Sequence, residues 1–362
     1  MDIKLVLFAL TIFLGMVFGT GKDVNRKQQK WYVIIMTTFL ILESSLRSVN
    51  VGNDTINYHY SFMSIINMSW GEIFDSFSAS FLGGEGKDPG FALFVKIVQI
   101  VSLDFNFFLF VSALVFFVPL GMILYRYTNH ILQLIFAFSL YIALFHIVAL
   151  SGIHQQLATG FTFMAFLLLG DGKRILSALV IVLGSMLHIS ALLFLLVPVL
   201  SYVNRRFLKP IHLASFFTIP FAIVYAGRIM TFLASFLAND YYGTYGEDES
   251  AGGAVTYIAL MELLSLFCYI AIKKKSVVND RNTGLLYIML PLLTMTVPLI
   301  SLNGAMIRVG QYFTLYMMLL APIALDSFSA IGSNKIYYYG MIAALVFLSF
   351  NGGAFHYSFF WQ

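Results

Sequence analysis

Apolar runs recur along this chain from end to end, and polar residues gather in the short intervals between them. Runs of about 18 residues or more can cross a hydrocarbon core of about 30 Å as helices. The first run, 3–18, leads into a basic interval holding Lys22, Arg26, Lys27 and Lys30 against Asp23 alone, and the second, 31–46, delivers Arg47 to the opposite side. Basic loops stay cytoplasmic, so Arg47 is expected outside. The interval 47–90 carries Asp54, Glu72, Asp75, Glu85 and Asp88 against Arg47 and Lys87, which fits an external loop. Within it, 56–68 and 71–82 have helical spacing but are short and polar, as interfacial helices are. The run 91–103 includes Lys96 and Gln99 and reads as re-entrant or interfacial.

Runs 107–124, 131–150 and 157–169 then cross inward, outward and inward, ending at Lys173 and Arg174. The run 175–203 is followed by another basic loop, so one crossing would leave one of the two basic loops outside. A broken hairpin near 184–190, with Gly184 and Ser185 as breakers and His188 at the outer end, resolves this, and a single crossing is the alternative. Runs 211–237, 255–272, 285–302, 305–325 and 336–350 follow, with an acidic external loop at 239–253. The pattern predicts an all-α polytopic integral membrane protein: one transmembrane domain over 1–362, with about ten to twelve membrane segments, some broken or re-entrant.

Composition agrees. The chain is 60% hydrophobic and 10% charged, with mean hydropathy +0.86, against roughly 25% charged in soluble domains. No stretch remains for a sizeable soluble domain. The net charge of +4 arises in short basic loops and argues against nucleic acid as partner. The lone Cys268 excludes internal disulfides and reads as a buried inert thiol. The N-terminal run lacks a small-residue cleavage site and reads as a retained span.

Ionisable groups at membrane depth are costly, so those that loop sidedness leaves unexplained are functional candidates. Arg47, His154, His188 and Arg308 pass that filter, each with a bland alternative as headgroup anchor, loop end or core side chain. Gly52-Asn53 is a turn signal that can bring Asp54 back towards Arg47; alternatively, Asp54 caps the next helix. His154 with Gln155 and Gln156 can hydrogen-bond sugar hydroxyls. Tyr58, Tyr60, Tyr241 and Tyr242 suit either an interfacial belt or sugar stacking. Nucleotide-binding, zinc-protease and serine-hydrolase motifs are missing, as are paired cysteines and any cofactor signature. These residues suit an external cavity for an anionic, lipid-linked substrate.

The stretches RSVNVGNDTINYHYSF, DPGFALFVKI, SGIHQQLATGF, GDGKR to LHISALLF, and IRVGQYF, in this order, resemble the EpsG family of polysaccharide polymerases, related to Wzy-type O-antigen polymerases. The family pattern is matched by Arg47, Gly52, Asp54 and Thr55, by Asp88-Pro89-Gly90, by His188 and by Arg308. This chain has His154-Gln155 where such proteins often carry Arg-Gln. The resemblance implies a GT-C-like membrane glycosyltransferase in the bacterial inner membrane. It would polymerise undecaprenyl-diphosphate-linked oligosaccharide repeats into O-antigen or exopolysaccharide at the outer, periplasmic face. It implies partners from the same pathway, a flippase and a chain-length regulator. Arg47, Asp54 and His188 would be catalytic, with Asp54 or His188 as base. Arg47, Arg308, His154, Gln155 and Tyr58 would bind diphosphate and sugar, arginines taking a metal's place. Two other readings share the substrate: an O-antigen ligase, which typically has a large late external loop that 239–253 is too short to be, and a flippase or exporter.

Overall fold

The structure, a computed structural model, describes residues 2–19, 26–82, 88–203, 207, 210–217, 219, 225, 228, 254–274, 281–301, 306–328, 334–351 and 356–362. The expected external loop 239–253 and most of the run 211–237 lie outside the described residues, as do Lys22, Arg205, Arg206, Lys209 and Lys275. Among the described residues the fold is helical, without strands; Asp2 with His356 and Arg47 with Phe359 form isolated bridges. The chain divides into two compact units, one of Met1–Leu82, Gly86–Leu192 and Ser329–Gln362, the other of Gly83–Glu85 and Leu193–Phe328.

The first unit begins with α1 (Ile3–Gly19) and α2 (Arg26–Ser45). The second expected run starts five residues early because Arg26 anchors it. Its guanidinium donates to the carbonyls of Tyr125 and Thr128, each at 2.7 Å, and lies 4.3 Å over the Tyr125 ring. Those carbonyls close the end of α6 (Phe105–Tyr127), where backbone acceptors lack helical partners. At the other end, Asn106 Nδ2 donates to the Ser45 carbonyl at 2.7 Å. The two helices therefore run antiparallel. Asp104 caps α6 by accepting from Phe107 N at 3.0 Å.

Between them lie the three short helices α3 (Thr55–Ile66), α4 (Trp70–Leu82) and α5 (Gly90–Val101). Ser69 and Glu72 form a capping box at the start of α4: Ser69 N donates to Glu72 Oε2 at 2.6 Å, Glu72 N to Ser69 Oγ at 3.3 Å. The two polar residues that marked α5 as an unsuitable span bind α3. Gln99 Nε2 donates to Phe62 O at 2.8 Å, and Lys96 Nζ to the carbonyls of Ile65 and Ile66 at 3.1 Å.

The next run is α7 (Ile131–Leu140), a π turn (Tyr141–Phe145) and α8 (His146–Ser151) in continuous succession. Then come α9 (Ile153–Gly170) and α10 (Arg174–Leu187). The expected break falls at His188, whose backbone is extended. Gly184 and Ser185 stay helical: an added Cβ at Gly184 would stand 2.7 Å from Phe161 Cβ, so this glycine serves close packing of α10 on α9. The helix Asn334–Asn351 returns to α7, with the Tyr338 ring edge-on to Phe136 at 5.8 Å.

In the second unit, helix Ala254–Lys274 carries Cys268, fully buried with its sulfur 4.0 Å from that of Met317. His212 Nε2 lies 2.9 Å from Ser265 Oγ, which is 3.1 Å from Thr294 Oγ1, while both carboxyl oxygens of Glu262 are buried without a hydrogen-bond partner.

By length and composition, three described helices can cross a membrane: Phe105–Tyr127, Ile131–Ser151 and Gly284–Ser301. A fourth is added if Ile307–Thr314 and Met317–Ser327, bent by 46°, form one span. Other apolar helices, Ile3–Gly19 and Arg174–Leu187 among them, have only 10–17 residues.

Candidate active site

The turn Asp88-Pro89-Gly90 starts α5 and brings a carboxylate under two imidazoles. Pro89, with φ −55°, presets the first helical turn, and Phe91 N donates to Asp88 O at 3.0 Å. Gly90 lies against Met186, where an added Cβ would stand 2.9 Å from Met186 Cβ, so the turn sits flush with the end of α10. Asp88 itself has φ +57°, a left-handed conformation that costs a residue with a Cβ about 1 kcal/mol or more. Its side chain supplies the compensation. His154 Nδ1 lies 2.7 Å from Oδ2, and His188 Nδ1 lies 3.2 Å from each oxygen. Ile189 N donates to Oδ1 at 3.2 Å.

Three elements therefore meet at one carboxyl group: the turn before α5, the first turn of α9 and the break after α10. The break matters because the extended His188 leaves Ile189 N free to turn inward instead of joining a helix. The Asp88 side chain is 1% exposed, and each histidine 19%. Burial alone would raise the carboxyl pKa, but the hydrogen bonds from His154 and His188 prevail and hold it well below the usual carboxylate range. The group is an anion at neutral pH. Phe91 and Tyr58 wall the His154 ring, at 3.6 and 5.0 Å between centroids. An apolar, aromatic side, a fixed anion and two half-open imidazoles thus share one opening.

Of the residues singled out from sequence, His154, His188 and Tyr58 come together here. Asp54 starts α3 one turn before Tyr58, half-exposed, with no capping bond from its side chain. Gly52 takes the expected positive φ, at +93°. Gln155 is 2% exposed, and its amide reaches Thr159 Oγ1 on its own helix at 3.4 Å. It belongs to the core side of α9.

Arg47 is 1% exposed. Its Nη1 donates to the carbonyl and hydroxyl of Ser44 at 2.7 Å, and Nη2 to Leu150 O at 3.1 Å; Nε is buried without a partner. The acidic group beside it is Glu43, which counters the lowering by burial, to about 10, of the guanidinium pKa. Its main chain is held as well: Ser48 N donates to Ser358 O and Phe360 N to Leu46 O, both at 2.9 Å. Asn53 N donates to Ser151 Oγ at 3.2 Å. The stretch 47–55 is therefore fastened to Leu150 and Ser151, just ahead of His154. Arg308 lies half-buried in helix Ile307–Thr314 of the second unit.

Two groups escaped the reading of the sequence as site residues. Asp88 stood in an acidic loop whose charge sidedness already explained, so only its place in a Pro-Gly turn marked it. Glu43 and His146 form a buried pair, Oε1 to Nε2 at 3.1 Å. A histidine in the middle of an apolar run was the signal.

Comparison with curated proteins and with solved structures finds no match. A family model does match, over residues 30–358, and this span takes in the Arg47 segment, the Asp88 turn, His154, His188 and Arg308. The chain belongs to the EpsG family, whose members are Wzy-like polysaccharide polymerases.

Proposed function

We propose that this protein joins oligosaccharide repeat units carried on undecaprenyl diphosphate into O-antigen or exopolysaccharide, at the periplasmic face of the bacterial inner membrane. In this reading the chain crosses the membrane in about ten to twelve segments, broken and re-entrant ones included. Loop 47–90 and loop 239–253 face outward, and the architecture is GT-C-like. Lipid-linked oligosaccharides are the substrates, and a flippase and a chain-length regulator of the same pathway are its partners. Family membership supports a polysaccharide polymerase-type role. The observation that carries the site is the Asp88 carboxylate held between His154 and His188 beside two aromatic rings.

Breaking a sugar–diphosphate bond leaves charge on the departing phosphate, and fixed polar groups in a partly dry site stabilise it without reorganising. His154 and His188 face that phosphate, and Asp88 fixes their orientation. Tyr58 and Phe91 offer rings against which a sugar stacks. Asp54, one turn from Tyr58, takes the proton of the attacking hydroxyl. Arg47 acts on this centre as a positioning residue, through Leu150 and Ser151. Arg308 is assigned to phosphate binding on family likeness. The activated donor supplies the energy, so no nucleotide or other organic cofactor is required.

Single replacements Asp88→Asn, His154→Ala and His188→Ala in cells test the assignment. Losing one charge-assisted contact to a developing anion is worth about 3 kcal/mol, about a hundredfold in rate. Cells with normal protein level should then display single capped repeats in place of long chains. Full-length polymer in all three would overturn the site. Loss of even the single capped repeat would favour an exporter of the same lipid-linked sugar.

A further inference from the structure

We propose that Asp88, His154 and His188 bind one divalent transition-metal ion, and that this ion meets the phosphate of the donor. The inference rests on the reading above, in which this centre receives the diphosphate.

The donor set comes first. One carboxylate oxygen and two imidazole Nδ1 atoms all lie within 4.8 Å of one another, contributed by three separate elements. Metal–ligand bonds of about 2.0–2.2 Å to nitrogen and oxygen place neighbouring ligand atoms about 3–3.5 Å apart. The present separations of 2.7 and 3.2 Å reach that range if the ligands part by less than about 1 Å. Two imidazoles and a carboxylate form a borderline nitrogen–oxygen set that suits zinc, manganese or ferrous iron better than magnesium or calcium.

The surroundings are those of a ligand site. Ile189 N–H holds the far oxygen of the carboxylate at 3.2 Å, the kind of outer bond that orients a metal-binding group. Both histidines keep an exposed edge, so a bound ion would have room for water or a phosphate oxygen, as three-ligand catalytic sites do. Asp88 also accepts φ +57°, and so points its carboxylate between the rings.

Charge supplies the third argument. An anionic Asp88 between two neutral imidazoles repels a diphosphate, and Arg47 is committed to Ser44 and Leu150. A divalent ion turns the centre from a single negative charge to a single positive one. It then attracts the donor and stabilises the leaving phosphate as a Lewis acid.

The test uses the full-length protein in detergent, stripped with a chelator and reloaded with zinc, manganese, cobalt or magnesium in turn. Bound metal per chain is measured by mass spectrometry of the metal, and the cobalt form by its visible absorption. About one zinc or manganese per chain should be retained, magnesium should not, and cobalt should give bands of a nitrogen–oxygen site. His154→Asn and His188→Asn keep a hydrogen-bond donor near the Nδ1 position but remove the imidazole, and Asp88→Asn removes the charge. Each should hold metal at least tenfold more weakly while melting within a few degrees of the parent. Equal retention by parent and variants, or none by the parent, overturns the metal site. If the parent holds no metal and the variants still make only single repeats, the active-site assignment stands without an ion. If metal binds and the variants polymerise normally, the ion site stands and the assignment of this centre to polymerisation falls.

Discussion

Arg47 Nη2 donates to the carbonyl of Leu150 at 3.1 Å, across 103 residues of chain. The end of α2 is thereby pinned to the end of α8, two residues before α9 begins and four before His154. An arginine that looked from sequence like a phosphate clamp at the membrane surface is a buried tie behind the site.

Replacement by lysine therefore has a distinctive outcome. Arg47→Lys keeps a charge but cannot reach Ser44 and Leu150 together, so the chain should lose about 2–4 kcal/mol of stability along with activity. Thermal unfolding in detergent, followed beside polymer length in cells, checks this. Lost polymer with unchanged melting would return Arg47 to direct phosphate contact.

Glu43→Gln should destabilise by a similar amount. The carboxylate lies between buried Arg47 and His146, and its removal leaves those groups without their anion. Tyr357 donates to the Glu43 carbonyl at 2.7 Å, a bond that survives the change, so the loss should be in stability and not in the docking of residues 356–362. Protease resistance of that terminal segment separates the two effects.

Gly90→Ala places a Cβ 2.9 Å from Met186 Cβ. Crowding of this kind costs about 1–3 kcal/mol, and here it levers the Asp88 turn away from His188. Polymer yield should fall more than melting temperature does, and Met186→Ala should restore part of it. Loss of folding without such rescue would show that the contact is only structural.

Tyr58→Phe should polymerise nearly as the parent does, whereas Tyr58→Ala should lose about tenfold, the value of an aromatic contact. Asp54→Asn should cost about a hundredfold or more, as removal of a general base does. Both are read as chain-length distributions on the cell surface at matched protein level.

Much of the fold was legible in the sequence. Runs at helical spacing mark α1, α2 and α6, and the short polar runs of loop 47–90 correspond to α3 and α4. Lys96 and Gln99 correctly demoted α5, and Gly52 takes the left-handed turn expected of it. The break near 184–190 was visible, though His188 marks it and Gly184 does not. Asp88 was harder. Its partners lie 66 and 100 residues away, and no local spacing encodes a contact that only the packing of α5 on α9 and α10 creates. The buried fate of Arg47 and Gln155 was equally hidden, because hydropathy reports that a segment borders lipid but not which side of a helix faces the protein.

The π turn at Tyr141–Phe145 carries one residue more than a regular helix needs. Deleting a single residue there would heal the helix and rotate everything after it by about 100° relative to everything before. Leu150, which holds Arg47, and Ser151, which holds Asn53, would both swing off target. Substitutions can accumulate around this turn over evolutionary time, but the length of the segment cannot drift: in this lineage, insertions and deletions between Tyr141 and Ser151 should be purged.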